Sequence, residues 1–123
     1  MAGKTEIKWL SDMEDQDYPA ANSYLSLLFE EPAAAKYVGQ LRNAHLSQYK
    51  AKDIFRASRL SLLGISNSHV DRDREKIRSG KPLSPLLLVR DPAHQTVIIA
   101  DGYHRLCAVY SFDEDALIPC KIV

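Results

Sequence analysis

The sequence lacks an excess of charge of either sign: Lys+Arg 16 stand against Asp+Glu 16, for a formal net charge of +0. A protein whose main work is gripping nucleic acid draws its affinity from counterion release and needs surplus Lys and Arg. The balance argues against that role and leaves room only for a local basic patch. Long apolar runs are also missing. The stretch Leu86–Val89 falls far short of the ~20 residues a helix needs to cross a bilayer. The segment Met1–Leu10 is mixed and charged, without the apolar centre of a secretory signal. Cysteine is scarce: Cys107 and Cys120 are too few for a disulfide framework and read as buried small hydrophobes. His45, His69 and His94 stand at no metal-ligand spacing from one another or from the cysteines, so no zinc site is expected. These absences set the expectation of a reduced, cytoplasmic chain with no membrane contact.

What is present is ordinary for one soluble domain: 123 residues, 46% hydrophobic and 26% charged. A chain of this size buries roughly two-thirds of its unfolded surface, enough for a core without staples. Residues up to about Ser58 carry helical periodicity. Tyr18-Pro19 opens a first helix, with Ala21, Tyr24, Leu25 and Leu28 on one face. Glu31-Pro32 opens a second, with a stripe of Ala34, Tyr37, Val38 and Leu41. A third runs from about Lys52 to Leu60, with Ile54, Phe55 and Ser58 together. Trp9 reads as the anchor of an N-terminal arm. Leu60–Ile65 reads as a buried strand or a helix end.

Beyond it, Asn67-Ser68 caps a short helix over about Val70–Ser79 that Gly80 ends. Strands are predicted at Pro85–Arg90, Thr96–Ala100 and Ile118–Val123, with a turn at Asp91-Pro92 and a helix over about Tyr103–Tyr110. The fold class is α+β: one domain, with a small mixed sheet in residues 60–123 and helical cover from residues 1–59.

The chemistry points to Thr96–Ala108, where an apolar strand meets Asp101-Gly102 and a helix begins. A helix start leaves backbone N–H groups without intrahelical partners and carries partial positive charge. Gly102 lets a ligand approach the backbone, and Arg105 adds a guanidinium that can fork onto phosphate oxygens. His104 can hydrogen-bond phosphate or shuttle a proton, its ordinary pKa of about 6.5 lying near working pH. Asp101 has two compatible readings. It serves as an N-cap, or it sits beside a phosphate-borne Mg²⁺ or a hydroxyl substrate. Lys81 and Ser84 frame the loop before the Pro85 strand and are placed at the same mouth of the sheet. Val70–Lys81, with alternating Asp and Arg, reads as a solvated helix with local ion pairs.

Asp101-Gly102-Tyr103-His104-Arg105-Leu106, preceded by Gly80-Lys-Pro-Leu-Ser-Pro85 and followed by Ile118–Val123, resembles the ParB/sulfiredoxin superfamily over about Leu60–Val123. The resemblance implies a turn, here Gly102–Arg105, that holds nucleotide phosphates at a helix start. Tyr103 stands where sulfiredoxins carry their catalytic Cys, so thiol chemistry is not expected. The chain ends at Val123, which leaves no place for the DNA-reading segment of partition proteins, and DNA is not an expected partner. The nearest pattern is the Asp-Gly-His-His-Arg of free-serine-kinase-like members, from which only Tyr103 departs. That branch also uses an upstream Glu as base, and no residue here matches its motif.

Two functions follow. The first is a nucleotide-dependent phosphotransferase or NTP hydrolase taking a nucleoside di- or triphosphate with Mg²⁺ near Asp101. It would have Asp101 and His104 as catalytic groups, and Gly102, Tyr103, His104, Arg105, Lys81 and Ser84 around the phosphates. The second is a non-catalytic module holding a nucleotide or phosphorylated small molecule, with the N-terminal helices meeting a protein partner or another copy. A carboxylate from Asp71–Glu75, or from Glu30 and Glu31, reaching Asp101 would favour the first.

Overall fold

The computed structural model describes residues 5–64 and 66–123. Among these residues five helices and four strands follow one another as α1 (Asp17–Leu28), α2 (Glu31–Asn43), β1 (Leu46–Lys50), α3 (Ala51–Ser58), α4 (Ser68–Arg78), β2 (Leu86–Asp91), β3 (Thr96–Asp101), α5 (Tyr103–Phe112) and β4 (Leu117–Ile122). The sheet order is β1-β4-β2-β3. β2 and β3 form an antiparallel hairpin, β4 runs parallel to β2, and β1 closes the far edge antiparallel to β4. The fold is α+β, as expected. No helix among the described residues is long and apolar enough to cross a membrane.

β2 explains the layering. Its residues Leu86–Val89 are all buried, because the strand is covered on both faces and so reads as a continuous apolar run. Leu86 and Leu88 face a cluster with Ile54 of α3, Val70 and Ile77 of α4, and Leu106 of α5. Leu87 and Val89 face the opposite cluster, with Tyr18, Ala21 and Leu25 of α1 and Ala34, Val38 and Leu41 of α2. Cys107 and Cys120 are free and buried in the first cluster, as small hydrophobes would be. Trp9 packs there too, and its arm is fixed by Leu10 N–H on the Leu83 carbonyl at 2.8 Å and Leu83 N–H on the Lys8 carbonyl at 2.9 Å. On the α1/α2 side the buried Lys121 ammonium donates to the Tyr18 hydroxyl at 3.0 Å and to the Arg42 carbonyl at 3.1 Å.

The α4 boundaries follow their local signals. Asn67 Oδ1 accepts from the N–H groups of His69 at 3.0 Å and Val70 at 3.2 Å. At the other end Gly80 takes φ +76°, with Lys81 N–H bonded to the Lys76 carbonyl and Gly80 N–H to the Ile77 carbonyl, a Schellman closure.

Three expectations are corrected. Leu46–Lys50, within the region of helical periodicity, is a strand, held by its pairing with β4. Leu60–Gly64 forms neither strand nor helix, and Leu60 and Leu62 are exposed; Ile65 lies outside the described residues. Arg59 ends α3 with φ +58°, and the segment then lies over α5, where Ser61 offers its carbonyl to the Tyr103 hydroxyl. On α1, Tyr24 and Leu28 are exposed rather than buried with Ala21 and Leu25, and Tyr18 fills the inner face instead. The inner stripe is therefore 18, 21 and 25, and Tyr24 falls at its margin beside β3.

Candidate functional site

The β2–β3 ladder shifts register between Leu87 and Leu88, so that Leu87 opposes Asp101 while Leu88 opposes Ile99. Such a bulge bends the strand end and re-aims its last side chain. Gly102 follows with φ +106°, and a Cβ there would lie 2.7 Å from Leu86 Cγ and 2.9 Å from Arg105 Nη2. This is a place where both the backbone conformation and the space require glycine. Gly102 is itself the N-cap of α5, and no side chain caps the helix. The capping reading of Asp101 therefore does not hold. The first intrahelical bond runs from Leu106 N–H to the Gly102 carbonyl at 2.9 Å, so the N–H groups of Tyr103, His104 and Arg105 lie ahead of the helical ladder.

Asp101 and Arg105 are paired at 3.0 Å, each side chain only 17% exposed. The same Nη2 donates to the Pro85 carbonyl at 3.1 Å. The guanidinium expected to fork onto phosphate is thus partly committed inward, bracing the strand end. Asp101 has a second neighbour that the sequence did not suggest: the buried Asp17 at the start of α1, whose carboxyl acts on it. Asp17 in turn accepts from Glu14 N–H at 2.9 Å. Burial raises the Asp101 carboxyl to about 6; Arg105 opposes the rise and Asp17 adds to it.

A cleft of about 210 Å³ opens between the start of α5 and one face of α4, lined by His69, Arg72, Asp73 and Lys76 together with Asp101–Arg105. The four α4 residues fall at i, i+3, i+4 and i+7, one helical stripe. Val70 and Ile77 form the buried stripe beside it. The rings of His69 and His104 stack at 4.8 Å, inclined by 35°. Burial holds His104 below the ordinary histidine range; His69 and Arg105 act in the same sense and Asp73 against it. Burial also raises Asp73, against the pull of Lys76, Arg105, His104 and Arg72. Its Oδ1 lies 4.0 Å from Lys76 Nζ.

Of the residues expected at the site, Asp101, Gly102, Tyr103, His104 and Arg105 meet at this cleft. Lys81 and Ser84 do not line it. The pairing of Leu83 with the Trp9 arm draws their loop against the N-terminal segment, and Ser84 is shut in at 3% exposure. Glu30 and Glu31 do not reach it either, but Asp73 does. Asp17, His69, Arg72 and Lys76 were missed as site residues; the 69-72-73-76 spacing puts the α4 residues on one stripe but does not show what that stripe faces. The α4 ion pairs expected on a solvated face do occur, with Arg78 Nη2 3.2 Å from Glu75 Oε2. No family model, no curated protein and no solved structure matches this chain.

Proposed function

We propose that the chain binds a nucleoside di- or triphosphate, with the phosphates in the α4–α5 cleft, and uses it in phosphoryl transfer or hydrolysis. The observation that carries this reading is the second carboxylate: Asp73 and Asp101 line one cleft together with Arg72, Lys76 and two histidines. Phosphoryl transfer asks a protein mainly for positioning and for positive charge where negative charge gathers. Arg72, Lys76 and the first-turn N–H groups of α5 supply that charge. His104, kept neutral by burial, is suited to accept a proton from an attacking hydroxyl or water. The resemblance to the ParB/sulfiredoxin superfamily supports the same placement of phosphates.

No group of three or more His, Cys, Asp or Glu among the described residues could hold a metal ion alone. A Mg²⁺ arriving with phosphates needs only one or two protein carboxylates, and Asp73 and Asp101 fit that demand. When bound, it would neutralise phosphate charge.

A second reading, a non-catalytic module whose N-terminal helices meet a partner, has one observation in its favour. Arg105 is turned toward Asp101 and Pro85, as a structural residue would be. A thermal-shift series with ATP, ADP, CTP and GTP, with and without Mg²⁺, tests binding. A ligand at 100 times its Kd stabilises the folded state by about 2.7 kcal/mol. Lys76→Ala, which leaves the Asp101–Arg105 brace intact, should shrink the shift; no shift with any nucleotide overturns the reading. Phosphate release, or transfer to alcohol or amine acceptors, then separates enzyme from binder.

A further inference from the structure

Behind the Asp101–His104 segment lies a second hollow of about 450 Å³, walled by that segment and by Ala20 and Tyr24 of α1, Leu60 and Ile99. Its size falls within the range of small-ligand sites, roughly 300–1,000 Å³. Tyr24 is 41% and Leu60 43% exposed, so two large apolar side chains face open space beside a strongly polar cleft. The two hollows adjoin, sharing Asp101, Gly102, Tyr103 and His104 as lining residues.

We infer that the nucleoside part of the ligand seats in this second hollow, its base against the Tyr24 ring, while its phosphates reach the adjoining α4–α5 cleft. The inference rests on the nucleotide reading and assigns a nucleoside-binding role to α1, an element outside the segment that resembles a known family. The adjacency of a polar cleft and a hollow walled by Tyr24, Leu60 and Ile99 selects this occupant. A molecule filling both must be anionic at one end and flat or apolar at the other. Stacking on an aromatic ring tolerates any base, since each has a π-face. Among the side chains of Ala20, Tyr24, Leu60 and Ile99 only Tyr24 carries a polar atom, so ATP, GTP and CTP should bind within about tenfold of one another.

Isothermal titration of ATP and of inorganic tripolyphosphate, against wild type, Tyr24→Ala and Tyr24→Phe, decides the matter. Wild type should bind ATP at least about tenfold tighter than tripolyphosphate. Tyr24→Ala should lose about tenfold for ATP, the scale of one base–aromatic stack, and leave tripolyphosphate unchanged, while Tyr24→Phe keeps the wild-type value. Equal binding of the two probes by wild type, or a Tyr24→Ala variant that binds ATP unchanged or weakens both probes alike, overturns the subsite. Failure of wild type to bind either probe overturns the nucleotide reading beneath it. Tyr24 points outward, so its variants should unfold at the wild-type temperature, and a matched melting curve excludes a folding defect.

Discussion

The imidazoles of His69, in the first turn of α4, and His104, in the first turn of α5, stack at 4.8 Å, so two helix starts meet through two titratable rings. His104 is held below its ordinary value, chiefly by burial. As pH falls, the unfolded chain therefore takes up this proton before the folded protein does. The His104 contribution to stability is fully present above about pH 6.5 and is lost as pH falls through the folded-state value. His104→Gln should lose less melting temperature than wild type between pH 7.5 and 5.5.

Asp101 has the opposite sign. Its folded-state value of about 6 lies above the ordinary 3.8, so its favourable share of stability is complete below about pH 3.8 and is lost as pH rises through 6. Asp101→Asn keeps an oxygen acceptor for Arg105. Its stability should decline less than that of wild type from pH 4 to 7, by on the order of 1–3 kcal/mol. Urea unfolding at several pH values measures both slopes.

Two glycines make a controlled comparison. Gly102→Ala must place a Cβ 2.7 Å from Leu86 Cγ at a φ of +106°, and should cost about 1–3 kcal/mol. Gly39, inside α2, has nothing within 4 Å of its added Cβ, and Gly39→Ala should gain roughly 0.5–1 kcal/mol from helix propensity. Denaturant midpoints for the two variants should move in opposite directions.

Lys121 is 6% exposed, with Tyr18 and Arg42 as partners and Asp12 Oδ1 at 3.4 Å. Lys121→Ala would leave the Tyr18 hydroxyl and the Arg42 carbonyl without this donor, at about 1–3 kcal/mol. Because the ammonium is enclosed, raising salt should recover little of the difference.

Anion binding in the α4–α5 cleft should fall with ionic strength. Arg72→Ala and Lys76→Ala should each weaken tripolyphosphate binding by about tenfold, with a smaller salt dependence than wild type. A titration at two salt concentrations checks both.

The second half of the chain was legible because its signals are local. Asn67 and Gly80 mark α4, the β-branched Thr96–Ile99 run marks β3, and Asp101-Gly102 marks the passage into α5. β1 was not legible, since Leu46–Lys50 is polar and largely exposed and only its partner β4 makes it a strand. The same reason hid half of the site. On α4, His69, Arg72, Asp73 and Lys76 share their spacing with any solvated helix face, and no local pattern shows that α5 stands opposite. Asp17 meets Asp101 only because α1 packs on β3.

The sheet is shared property between its two faces. A fragment beginning at residue 60 would retain the Asp-Gly-Tyr-His-Arg turn yet forfeit the strand that shields β4, the helices over Leu87 and Val89, and the α1 carboxyl beside Asp101. The half that carries the recognisable turn is therefore not a portable cassette, because its strand-end aspartate owes its raised value chiefly to burial, and part of that cover comes from α1.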